Sequence, residues 1–192
     1  MSAIHRFKNA LNKFQISAST QVDIFKEFEN ISDQSKKERK AAFFVHAIDY
    51  MDENLPEELC YQIRDACACS TGGWRLKAMQ KIAREYQHKS LEKKLAAINQ
   101  VTYSGKPILN EDGTITASIG DQGGFPCPCP VFDGITVNQP VSKTYCYCCA
   151  GHFRFHYQIA LGLKLRTKDV VSSALNSQFN DPCRFVYEII GE

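Results

Sequence analysis

Lys106-Pro-Ile-Leu-Asn-Glu-Asp-Gly-Thr-Ile-Thr-Ala-Ser-Ile119 is where the texture of this 192-residue chain changes. Asp112-Gly113 is a hairpin signal, because a tight antiparallel turn needs backbone at positive φ, which glycine adopts without strain. After it, Ile115, Ala117 and Ile119 alternate with Thr116 and Ser118, the period of a strand with one buried face. The chain upstream of the hairpin reads as helix, and much of the chain downstream reads as strand. The class is therefore α+β: a helical N-terminal half followed by an antiparallel sheet with one packed helix. Residues 1–100 form the helical region and 101–192 a cysteine-rich α+β region, packed together as one unit.

Upstream, Ile4, Phe7, Leu11 and Phe14 recur at helical spacing between charges. Thr20 and Asp23 suggest a cap before Val22, Ile24, Phe25 and Phe28. Ser32 or Asp33 is expected to cap a helix whose inward positions are Phe44, Val45, Ile48 and Met51. Asn54-Leu-Pro-Glu-Glu, with an early proline and first-turn acids, predicts a helix through Leu59, Ile63 and Ala66. Ser70-Thr-Gly-Gly breaks it. Further helices are expected from Trp74 (Met79, Ile82, Ala83 and Tyr86 inward) and after Ser90 (Leu91, Leu95, Ile98). Downstream, residues 120–140 are rich in Gly and Pro and read as loop, including the glycines at 120–124. Val141 to Tyr147 reads as a strand and Ala150 to Leu161 as a helix stopped near Gly162. Leu163–Val171 and Arg184–Ile190 read as the last two strands.

Composition is that of an ordinary globular protein, with 44% hydrophobic and 23% charged residues and a net charge of +2. The basic segment at 36–40 reads as a solvated helix face, so no nucleic-acid partner is expected. No apolar run is long enough for a membrane span or a signal peptide. The expected location is cytoplasmic, where thiols stay reduced. That turns the nine cysteines away from disulfides and towards metal or thiol chemistry.

Seven of the nine fall in tight groups: Cys67 with Cys69, Cys127 with Cys129, and Cys146 with Cys148 and Cys149. A C-x-C pair on extended backbone sends both side chains to one face, about 6.5–7 Å apart. Two such pairs can converge on one Zn²⁺ at about 2.3 Å per sulfur. Cys127, Cys129, Cys146 and Cys148 are the first choice for a Cys₄ site, with Pro128 and Pro130 stiffening the first pair. Cys67, Cys69, Cys149, His152 and Cys183 are further candidate ligands. An iron–sulfur cluster is the alternative cofactor, since four cysteines suit it as well. Cys148 and Cys149 also stand where a helix begins, where the dipole favours a thiolate. They are therefore candidate nucleophiles, with His152 one turn on as base. His152 and His156 share a helix face at i, i+4, but no zincin glutamate follows the first. His156 and His46 read as packed histidines, and Cys60 and Cys183 as structural. No phosphate loop, dinucleotide fingerprint or nucleophile elbow is present.

Residues 141–190, with Thr144-Tyr-Cys-Tyr-Cys-Cys-Ala-Gly151, an amphipathic helix, Ala160-Leu-Gly-Leu-Lys-Leu165 and Pro182-Cys-Arg-Phe-Val-Tyr-Glu-Ile189, resemble the C-terminal part of 4-vinyl-reductase-like, or hydrocarbon-binding, domains. The earlier cysteine pairs are similar to those of uncharacterised cysteine-rich bacterial proteins with the same ending. The resemblance implies an α+β fold, a helix-lined pocket for a small apolar molecule and, in some members, cysteine-bound zinc. By position Cys146, Cys148 or Cys149, Gly151 and Cys183 match the family's cysteines and glycine. The chain departs in having C-x-C-C for C-x-x-C, and Phe179-Asn180 for Gly-Asp. The resulting expectation is a cytosolic metal-containing protein, zinc being the metal, that binds or senses a small hydrophobic ligand, with the question of enzymatic activity left open. A cysteine-dependent hydrolase or thiol-redox enzyme, or an iron–sulfur protein, is the alternative.

Overall fold

The computed structural model describes residues 2–69, 71–120 and 127–191. Among them, seven α-helices precede or interleave with four strands: α1 (Ala3–Lys13), α2 (Ala18–Phe25), α3 (Lys37–Asn54), α4 (Glu57–Asp65), α5 (Gly73–Glu85), α6 (Leu91–Asn99), β1 (Ile108–Leu109), β2 (Ile115–Ile119), α7 (Tyr147–Leu161), β3 (Lys164–Ser172) and β4 (Cys183–Gly191). The fold is α+β, as the hairpin pattern required.

The sheet order is β1-β2-β4-β3, antiparallel throughout. Its inner face carries Ile115, Ala117, Leu165, Val170, Phe185 and Tyr187, all buried. α7 lies across this face: Phe153 stacks on Phe185 at 6.0 Å, Tyr157 meets Tyr187 edge-on at 5.7 Å, and the Tyr187 hydroxyl donates to the Ala150 carbonyl at 2.9 Å. Burying each such ring contributes about 1.5–3 kcal/mol. The other side of α7 packs on α4, α5 and α6. Gly151 makes the α4 approach close, since a Cβ there would stand 2.5 Å from the Asp65 carbonyl oxygen.

Beyond α4, Phe7, Phe25, Phe28, Phe43 and Phe44 form an aromatic cluster with ring centroids 5.0–6.2 Å apart. It continues through Tyr145, 5.6 Å from Phe44 and 4.9 Å from Phe132. One buried cluster thus runs from Ile4 to Tyr187.

The clearest departure from the sequence reading is at 141–147. The expected strand is a short irregular segment and a 3-10 turn (Lys143–Cys146), and α7 begins three residues early, at Tyr147. Ser142 accepts the Thr144 N–H at 3.2 Å and turns the chain, while Tyr145 seats between Phe44 and Phe132. Packing overrides the strand preference of alternating Val141, Tyr145 and Tyr147. Capping also differs. Ser17, not Thr20, caps α2 by accepting the Thr20 N–H at 3.1 Å. α3 starts after Lys36 rather than near Ser32 or Asp33, and Asn54 closes α3 instead of capping α4. Val22 is 66% exposed, so the inward side of α2 is carried by the buried Ile24 with Phe25 packed on Phe7 and Phe43. Gly162 ends α7 in the left-handed region, φ 72°, where its missing Cβ avoids strain. The loop glycines Gly123 and Gly124, and Ser70, lie outside the described residues.

Candidate functional site

The N-terminal turn of α7 gathers cysteines from four separated parts of the chain. Cys146 is its N-cap, with Cys148 and Cys149 in its first turn. Cys67 and Cys69 come from the turn after α4, Cys127 and Cys129 from the loop after the hairpin, and Cys183 from the first position of β4. All nine cysteines of the chain are free thiols. Cys148 is the hub: it lies within electrostatic reach of Cys129, Cys69, Cys67, Cys127, Cys146 and Cys149. Cys183 lies within electrostatic reach of Cys127, Cys129, Cys146 and Cys149 and so joins the nest rather than standing alone. Cys60 lies apart, buried with its thiol donating to the Met51 carbonyl at 3.3 Å.

The first-choice residues Cys127, Cys129, Cys146 and Cys148 therefore share one neighbourhood, although 146 and 148 reach it from a helix start and not from an extended C-x-C. Among the described residues, no three Cys, His, Asp or Glu side chains stand close enough together, as placed, to hold an ion. Local hydrogen bonds hold several sulfurs. The Ala174 N–H donates to Cys183 Sγ at 3.4 Å, and the Cys129 N–H faces the Cys127 sulfur. The Cys146 thiol donates to Ser173 Oγ at 3.1 Å, and Cys129 Sγ lies 3.0 Å from the Tyr145 hydroxyl.

Burial dominates the acidity of these thiols. It pushes Cys148 up to about 12, and burial with neighbouring sulfur holds Cys146 and Cys149 well above the usual thiol range. Cys67, Cys127 and Cys183 move in the same direction for the same first reason. The helix dipole, worth about 0.3–1 kcal/mol, is too weak to reverse this. Without a metal, the thiols of Cys67, Cys127, Cys146, Cys148, Cys149 and Cys183 are therefore protonated and poorly nucleophilic at neutral pH.

Beneath Cys148 lies a side chain the sequence reading did not single out. Arg64 is 2% exposed; its Nη2 donates to the Tyr145 carbonyl at 3.0 Å. Its guanidinium sits over the rings of Tyr145, Phe44 and Phe7 at 4.6, 5.3 and 5.7 Å. Its Nε has no hydrogen-bond partner, and none of the ion pairs among the described residues includes it. Burial works against its charge, while Cys148, then Cys67, Tyr145 and Cys129 favour it to the extent that they ionise, and the net direction is upward. The available signal was the stripe Cys60, Ile63, Arg64, Cys67, which puts an arginine on the buried face of α4.

His152 is also buried. Nδ1 lies 2.5 Å from the Cys69 carbonyl and Nε2 3.1 Å from Arg75 Nη1. These partners define a neutral ring that donates from Nδ1 and accepts at Nε2. Burial lowers its pKa to about 4. Service as a base or ligand would break one of these bonds. His156 is buried one turn on, its ring 4.7 Å from that of His152. The cavity between α5, α7 and residues 101–104, which both histidines line, measures about 10 Å³, room for roughly one water.

Fold and site together define a class: an α+β protein whose central helix opens on a nest of reduced thiols, three buried (Cys67, Cys146, Cys183) and the others half-buried, beside a buried arginine. A family model matches residues 1–173, and the chain belongs to that family, described as a family of unknown function (DUF6144). The match takes in the helical half and every cysteine of the nest except Cys183. No curated protein and no solved structure matches the chain. The resemblance of residues 141–190 to 4-vinyl-reductase-like domains has no counterpart among these findings. No helix among the described residues is long and apolar enough to cross a membrane.

Proposed function

We propose that the protein is a metal–thiolate binding or sensing protein of a reducing compartment, taking zinc through cysteines of the nest, with Cys127, Cys129, Cys146 and Cys148 as first ligands and Cys183 as their nearest reserve. One observation carries the reading: Arg64 is a buried guanidinium set among cysteine sulfurs and aromatic rings, with no carboxylate paired to it among the described residues. An isolated buried charge costs several kcal/mol, and the ordinary remedy is an anion beside it. Protonated thiols supply none. Four thiolates on one Zn²⁺ carry a net double negative charge, which fits a guanidinium at that place. Coordination also lowers thiol pKa values that burial has raised, because ligating sulfur must be deprotonated. The N–H donors on Cys127 and Cys183 support the same charge state.

An iron–sulfur cluster is the second reading, favoured by the surplus of sulfur over what one zinc ion needs. A hydrolase or redox enzyme built on Cys148 or Cys149 is the weaker alternative, because those thiols are pushed up. An apolar ligand, as the resemblance implies, would require α5 and α7 to part if it were to bind beside His152 and His156, where the cavity is about 10 Å³. X-ray absorption on the native protein tests the proposal. The expected result is a sulfur-dominated zinc shell at about 2.3 Å. Less than about 0.2 metal per chain, with freely titratable thiols, would overturn it; visible absorption in anaerobic protein would replace zinc with the cluster.

A further inference from the structure

A second site, independent of any metal, lies on the outer side of the Cys67–Cys69 turn. Between α1, that turn and α7 runs a cleft of about 610 Å³, within the roughly 300–1,000 Å³ of small-molecule sites. Arg6 and Lys13 line it from α1, Arg154 from α7 and Asp65 from the end of α4. Three cations against one carboxylate leave +2, as large as the net charge of the whole chain. An otherwise balanced surface therefore concentrates its excess charge in one concavity.

Two of the cations are held in place. Arg154 grips the Asp65 carboxylate through Nε and Nη2, and Thr167 Oγ1 donates to the same carboxylate at 3.0 Å. Asp65 is thus occupied from its own side and repels an incoming anion less. Arg6 donates from Nε to the Cys67 carbonyl at 3.0 Å, which fixes its guanidinium against the wall. Lys13 is exposed at the last turn of α1, its Nζ 5.4 Å from the centre of the Phe14 ring, and supplies the third charge. The rest of the wall mixes the polar Asn9 and Thr71 with Ala10, Ala66, Ala68 and Phe155, which leaves room for a short carbon skeleton beside the charged group, and a Cβ on Gly72 would meet nothing within 4 Å. Fixed guanidinium groups are the usual recognition elements for planar or tetrahedral oxyanions.

We propose that this cleft binds a small oxyanion-bearing molecule, one carrying a carboxylate or phosphate group. The test titrates the full chain with inorganic phosphate and, separately, with succinate, at constant low ionic strength set by chloride. Backbone amide shifts of Thr71, Gly72 and Gly151 are followed by NMR. Saturable shifts confined to these residues are expected with at least one probe, and the better probe tells phosphate from carboxylate recognition. Lys13→Gln, at an exposed position, should weaken binding severalfold and Lys13→Gln with Arg6→Gln about tenfold or more, while Lys81→Gln on the exposed face of α5 changes nothing. Absence of saturation with both probes up to about 50 mM, or shifts indifferent to Lys13→Gln, overturns the proposal. Metal content measured on the same samples keeps this outcome separate from the fate of the thiolate centre.

Discussion

Replacing Arg64 by methionine separates a counter-cation from a packing residue, because the two roles predict opposite responses to metal. In metal-free protein, Arg64→Met removes a buried charge that has no carboxylate partner. It also loses one charged hydrogen bond to the Tyr145 carbonyl, about 1.5–3 kcal/mol, and ring contacts to Tyr145, Phe44 and Phe7 worth about 0.5–2 kcal/mol each. Exchanging buried charge for an apolar side chain of similar volume returns about 1–4 kcal/mol. The losses exceed the return, so the metal-free protein should be destabilised by about 2–5 kcal/mol. The loaded protein responds differently. An anionic zinc–thiolate centre that loses its neighbouring cation should bind metal about 10–100-fold more weakly, or about 1.4–2.8 kcal/mol. Zinc affinity measured by competition with a chromophoric chelator, together with urea unfolding of metal-free and metal-loaded protein, gives both arms. Equal destabilisation of the two forms, with zinc affinity unchanged, would refute the counter-ion role and leave Arg64 as packing.

Cys148→Ser should abolish stoichiometric zinc, whereas Cys60→Ser, outside the nest, should retain it; metal analysis of both variants decides, and loss from both would point to misfolding instead. Gly151→Ala forces a methyl group against the Asp65 backbone at 2.5 Å, so α4 and α7 must separate, at about 1–3 kcal/mol in urea unfolding; an unchanged midpoint would show that this helix contact is loose. His152 has a pKa near 4 in the fold against 6.5 ordinarily, so the folded state binds fewer protons than the unfolded chain below neutrality. Its contribution is complete above pH 6.5 and declines as pH falls towards 4, by at most about 3 kcal/mol. In chelator-treated protein the wild type should therefore lose more stability between pH 7 and 4.5 than His152→Gln; equal losses would show that His152 plays no part in the acid response.

Local pattern was decisive wherever one face of an element sets its type. The Asp112-Gly113 turn, the alternation at 115–119 and the Gly162 stop all answer to short-range rules, and the structure follows them. The segment 141–147 did not, because Tyr145 is positioned by Phe132 and by Phe44, the latter from a distant part of the chain. Caps shifted for a related reason: several Ser, Thr, Asp and Asn residues compete near each helix start, and packing of the helix body selects among them. That the cysteines belong together was readable from reduced context and spacing. How they meet was not, since Cys183 joins only through the pairing of β4 with β2, and Arg64 matters only through the groups that burial places around it. Nothing in the sequence marks Arg6, Lys13 and Arg154 as neighbours, because that cleft exists only once α1 and α7 have docked on the turn between α4 and α5.

β4 sits between β2 and β3, yet it is made after both. Until it leaves the ribosome, the hairpin strand and β3 have no shared neighbour, and the inner surface beneath Phe153 and Tyr157 stays open to water. Cys183 arrives on the same strand. The interior of the sheet and the sulfur pocket must consequently close in one late step, and an ion captured earlier would find Cys183 still missing from its surroundings.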